Sequence, residues 1–124
     1  MNDLEKSKAF FGALGFSFNP QFTNADAACM VISDDIFSML LTKPFFRQFT
    51  DKTIADATST AEVLVALSTE SKDKVNAMVD AALAAGGTET QPPQNHGFMC
   101  GRSFNDLDGH IWEIFWMDPA HVQG

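Results

Sequence analysis

The two halves of the chain follow one order of elements, and this constrains the fold more than any single motif. Asn2 to Leu14 reads as a helix. Asn2 or Asp3 can cap it, Glu5 completes a capping-box spacing from Asn2, Leu4, Phe11 and Leu14 share a stripe, and Gly15 supplies the stop. Strand-like runs follow at Phe16 to Phe22, Ala27 to Ser33 and Ile36 to Thr42, separated by turn residues. After an irregular stretch from Lys43 to Thr60, Glu62 to Ser68 reads as a strand. Ser71 then caps a helix in which Val75, Met78, Val79, Ala82 and Leu83 keep the helical spacing, and Gly86-Gly87 ends it. Strands are expected near Thr88 to Gln91, over Phe98 to Asn105 and over His110 to Met117, the last two joined by Asp106-Leu107-Asp108-Gly109. The second half is thus strand, helix, three strands, and the first is the same without its opening strand. This predicts an α+β fold of two βαβββ units forming a half-open curved sheet, with the opening strand of the first unit absent.

At 124 residues the chain fits one domain: 1–42 the first unit, 43–60 an arm or lid, 61–117 the second unit and 118–124 a tail. Hydrophobic residues at 45% and charged residues at 19% exclude disorder and coiled coil. No apolar run reaches membrane-spanning length, and Met1 leads directly into polar residues, so neither a membrane segment nor a signal peptide is expected. A net charge of −8 would repel nucleic acid and anionic lipid. Cys29 and Cys100 lie in apolar runs without CxxC spacing and read as reduced, buried thiols, in keeping with a cytoplasmic protein. No P-loop, GxGxxG run or Ser-His-Asp order is present.

The opening Asn2-Asp3-Leu4-Glu5-Lys6-Ser7 with Phe10-Phe11 and Leu14-Gly15-Phe16, and the closing Asp106 to Glu113, resemble the two ends of the glyoxalase/bleomycin-resistance/dioxygenase family. This is the vicinal oxygen chelate superfamily, and the whole chain resembles predicted lactoylglutathione lyases. The resemblance implies a homodimer with a small-molecule cleft. It also implies that metal-dependent members draw four ligands from the first and last strands of each unit. Carried onto this sequence, that pattern keeps Glu113, places Leu64 where His would sit and Leu40 where Glu would sit, and leaves the fourth ligand in the absent strand. A bound metal or other cofactor is therefore not expected.

Glu113 lies in an apolar strand and calls for a partner. A four-residue loop from Asp106 to Gly109 would set Arg102 directly opposite it, either as a neutralising pair or as a grip for a ligand carboxylate with Glu113 orienting it or acting as base. The same register gives a cleft wall of Phe98, Cys100, Arg102, Phe104, Glu113 and Phe115, joined by Leu40 and Leu64. Such a wall suits a partly apolar ligand with one polar end. Among the histidines, His110 should face away from Glu113, His96 lies in a loop and His121 in the tail. The expected function is binding of such a ligand without a metal, with a metal-dependent lyase or isomerase as the alternative. The unpaired edge at Ile36 to Thr42 should be covered by a neighbouring chain, by the 43–60 arm, or by residues upstream of Met1.

Overall fold

The structure is a computed structural model describing residues 1–120; His121, expected in the tail, lies outside these residues. Helix α1 runs Leu4–Ala13, and strands β1 (Ser17–Phe18), β2 (Ala27–Val31) and β3 (Phe37–Leu41) follow, with a 3-10 turn at Pro20–Phe22. A short helix α2 (Lys43–Phe46) opens the arm. Then come β4 (Leu64–Ser68), α3 (Lys72–Ala84), β5 (Thr88–Glu89), β6 (Gln94–Asn95), β7 (Met99–Asn105) and β8 (Ile111–Met117). The strands form two open sheets, one in the order β1-β2-β3 and one in the order β4-β8-β7-β5, with β6 also on β7. The expected α+β architecture is present, with β4 parallel to β8 and the other pairings antiparallel.

Each main helix starts on the cap its sequence offers. The Asp3 carboxylate accepts from the Lys6 N–H and the Ser71 hydroxyl from the Lys74 N–H, both at 3.1 Å. Asn2 does not make the capping box, because its N–H is turned to Asp108 Oδ1 at 2.6 Å. Gly15 and Gly86, with φ of 103° and 110°, follow the two helices at corresponding places.

The helices cover one face of each sheet and share a core. Phe10 and Phe11 from α1 and Val75, Val79 and Ala82 from α3 pack with Ala28, Met30, Leu40, Phe104, Trp112 and Ile114. Ring centroids stand 5.0 Å apart for Phe11–Trp112 and 5.8 Å for Phe10–Phe104. Leu40 is 3% exposed in this core, opposite Ala28, whereas Phe37 and Met39 on the other face of β3 are exposed. Its expected place on the cleft wall is therefore corrected. Phe-Ser-Met-Leu-Leu carries apolar residues on both faces, so alternation alone could not orient β3. Residues 43–60 fold back beside β3, with Phe46 and residues 54–57 along the groove there, and the Ala57 carbonyl comes against Gly109.

Candidate functional site

The loop joining β7 and β8 decides which side chains meet in the cleft. Asp106 N–H donates to the His110 carbonyl at 2.9 Å, and Asp106 Oδ1 accepts from the N–H groups of Asp108 and His110 at 2.9 and 3.0 Å. Its Oδ2 accepts from Trp112 Nε1 at 2.9 Å. These bonds hold His110 in the loop, so Asn105 pairs with Ile111, Ser103 with Glu113 and Arg102 with Ile114. The expected pairing was one residue out, and that slip transfers all of β7 to the opposite face.

Arg102 consequently points to α3, not to Glu113. Its guanidinium donates to Asp80 at 2.8 Å, Glu89 at 3.1 Å and Asn76 at 3.2 Å. The hydrogen bond to Asp80 does most to hold its pKa above the ordinary arginine value; burial opposes this and the bond to Glu89 adds to it. Cys100 and Phe104 lie on the same side and are buried in the core. Phe98 stands ahead of β7 with its ring stacked on His96 at 6.3 Å. Of the eight residues proposed for the site, Glu113, Phe115 and Leu64 remain on the open face.

That face is made where β8 lies between β4 and β7. Ala66 stands beside Glu113 on one side and Ser103 on the other, while Leu64 and Ile111 form one end and Ser68 and Phe115 the other. A cleft of ≈ 320 Å³ over it is walled by Met99, Phe115, Met117 and Pro92, with Gln91, Gln94, Ser103 and Glu113 as polar groups. The Ser103 hydroxyl is hydrogen-bonded to that of Thr90, which ties the 90–94 segment to the cleft. Ser103 and Met99 were missed because they belong to the odd-numbered face of β7, whereas Met117 continues the face of Glu113 and Phe115 one step past the end of the expected wall. Gln91 and Gln94 were read only as parts of a strand end and a loop.

Thr69 N–H donates to the Phe115 carbonyl at 2.8 Å, two residues before the cap of α3. Met1 N donates to the Leu41 carbonyl at 2.8 Å, two residues before the cap of α1. Leu41 therefore matches Phe115, and Met39, not Leu40, matches Glu113. No group of three or more His, Cys, Asp or Glu that could share a metal ion occurs among the described residues. One carboxylate with hydroxyl and amide neighbours does not fit the ligand set of a catalytic divalent cation.

Residues 1–33 match the family model described as bleomycin resistance protein-like N-terminal. No curated protein matches the chain. Among solved structures, the hypothetical protein SA1046 from S. aureus is 28% identical with a TM-score of 0.77, covering 94% of this chain and 87% of that one. A glyoxalase/bleomycin resistance protein/dioxygenase family enzyme from Burkholderia phytofirmans PsJN is 17% identical with a TM-score of 0.76, covering 94% and 92%. The fosfomycin resistance protein FosX from Listeria monocytogenes is 15% identical with a TM-score of 0.65, covering 94% and 85%. The chain carries the fold of the glyoxalase/bleomycin resistance/dioxygenase proteins, the vicinal oxygen chelate superfamily, as the sequence resemblance implied.

Proposed function

We propose that this protein binds a small, partly apolar molecule, without a metal, in the cleft over β4, β8 and β7. The observation that supports this reading is a lone carboxylate, Glu113, in a cleft of ≈ 320 Å³ walled by Met99, Phe115, Met117 and Pro92, whose other polar groups, Gln91, Gln94 and Ser103, are uncharged. Arg102 offers no charge to that wall, since its guanidinium is spent on Asp80 and Glu89. The polar end of the ligand is therefore a cation or hydrogen-bond donor, not a carboxylate, and Glu113 is the cleft group able to take a proton from it. The chain acts as a homodimer in a reducing, cytoplasmic setting, a reading favoured by the free, buried Cys29 and Cys100 and by the exposed Phe22 and Phe49.

The test is a thermal-shift and calorimetric comparison of aromatic amines with carboxylates of the same skeleton, bleomycin and fosfomycin being included. Amines should bind, and Glu113→Gln should remove the preference without changing the fold. Preference for carboxylates, or equal binding by the Gln variant, would defeat the reading. One tightly held equivalent of nickel, zinc or iron per chain, with turnover of a hemithioacetal, would put the metal-dependent lyase in its place.

A further inference from the structure

Between α2 and β4 the chain runs from residue 47 to residue 63 without a helix or strand, a length at which a connection inside a compact domain is usually a functional loop. Its ends are fixed. Arg47 N–H donates to the Lys43 carbonyl at 3.1 Å, the Phe45 and Phe49 rings meet edge to face at 5.3 Å, and the Asp56 carbonyl accepts from the Thr60 N–H at 2.9 Å. The segment is therefore a hoop, in which Lys43 at one end and Asp56 at the other line the same hollow of ≈ 610 Å³. No residue of that hollow belongs to the Glu113 cleft.

The hoop gathers a charge that is scarce elsewhere. Lys43, Arg47 and Lys52 are three of the eight Lys and Arg in the chain, and all three line the hollow. They are exposed, and among the described residues none lies within 4.0 Å of a carboxylate, whereas Arg102 is spent on Asp80 and Glu89 and Lys8 on Glu5. Two acids share the hollow. The Asp56 carboxylate accepts from the Thr58 hydroxyl and N–H, which leaves Asp51 as the opposing charge not engaged in this way. Three cations against two carboxylates make the hoop positive by one in a chain of net charge −8. Thr50 and Thr53 add hydroxyls, and because Thr50 Oγ1 accepts from the Lys52 N–H at 3.1 Å its proton is available to a ligand.

We propose that the 43–56 hoop binds a compact phosphate-type dianion, either free phosphate or the phosphate of a small monoester. Two ammonium groups, a guanidinium and two hydroxyls supply the donors that tetrahedral oxygens accept, and the Arg47 fork can meet two oxygens at once. The hollow has room for an organic remainder against Ile54. The field around the hoop favours a compact ligand. A nucleic acid or an acidic protein would extend past a screening length of about 8 Å into the acidic remainder of the chain, and an ion confined to the hollow would not.

The experiment titrates the whole chain at constant ionic strength with inorganic phosphate, phenyl phosphate, an oligothymidylate and an oligoglutamate peptide, and follows the amide resonances. Amides of the 43–56 hoop should shift saturably with phosphate while those of Ser103 and Glu113 stay in place. Tighter binding of phenyl phosphate identifies a monoester as the ligand, and equal binding identifies the free ion. Arg47→Gln should weaken binding about tenfold, whereas Lys74→Gln, the same loss of charge on α3, should change it by less than about twofold. Asp51→Asn should tighten binding about threefold, and Asp34→Asn, the same gain of charge in a remote turn, should not. Shifts that grow without saturation, or equal effects of the near and remote variants, would reduce the result to screening of the net charge and overturn the proposal. Tighter binding of the oligothymidylate or the peptide than of either phosphate would overturn it as well, because the hoop would then be a docking surface for a macromolecule.

Discussion

Arg102 and Glu113 carry opposite charges on neighbouring strands, yet they lie on opposite faces of one sheet. A double-mutant cycle between Arg102→Met and Glu113→Gln should therefore show additive losses in urea unfolding, within about 0.5 kcal/mol. The cycle between Arg102→Met and Asp80→Asn should show coupling of up to about 1 kcal/mol, modest because Asp80 is 67% exposed. Coupling to Glu113 instead would mean that the register is wrong. Asp56 offers a second residue-scale test. Its carboxylate accepts from the Thr58 hydroxyl and N–H at 2.6 and 3.0 Å, and these bonds hold its pKa below the usual aspartate value. A depressed folded pKa means that the stabilising contribution is complete above the unfolded value of about 3.9 and is lost as pH falls through the lower folded one. The Thr58 amide resonance should move with a midpoint below that of a free aspartate; a midpoint at or above it would remove the bond.

At the scale of elements, the β7–β8 hairpin takes its register from its loop. Asp106 is buried and accepts from three N–H groups, so Asp106→Ala would leave the Trp112 indole and two backbone donors without a partner. A loss of about 2–4 kcal/mol is expected, read as a fall in melting temperature of roughly 8–15 °C. Gly109, at φ 94°, would bring a Cβ to 2.7 Å from the Ala57 carbonyl, so Gly109→Ala should free the 43–60 segment to proteolysis while β7 and β8 stay protected. Cleavage unchanged from the parent chain would show that this contact does not hold the segment. The same loop marks where the sequence stopped being legible. The α3 start at Ser71 and the strands Met99–Asn105 and Ile111–Met117 could be read from caps and turn residues within a residue or two. Whether Asp106 to Gly109 or Asp106 to His110 makes the turn depends on where one carboxylate finds its donors, which composition does not reveal. That single bond set moved Arg102, Cys100 and Phe104 out of the cleft and brought Ser103 in. For Leu40 the ambiguity was different: both faces of β3 are apolar, and only α1 packing over Ala28 and Met30 chose between them.

At the scale of the molecule, the two units share one core although their strands form separate sheets. Phe11 packs on Phe16 of its own unit, at 6.2 Å between centroids, and on Trp112 of the other at 5.0 Å. Phe10 reaches Phe104 across the same boundary, and Asp108 accepts from Asn2 N–H and, at 3.4 Å, from the Ser7 hydroxyl, locking the second hairpin to the start of α1. Neither sheet can lose its helix without exposing side chains of the other, so unfolding should be a single transition. Both tryptophans lie in the second unit, which makes their fluorescence a local probe; amide exchange in β2 reports the first. Phe11→Ala removes contacts on both sides and should cost about 3–5 kcal/mol. The two probes should then shift together to the same lower denaturant midpoint. If β2 opened at lower urea while the tryptophan signal kept the parent midpoint, the units would be separate folding bodies and Phe11 would belong to the first alone.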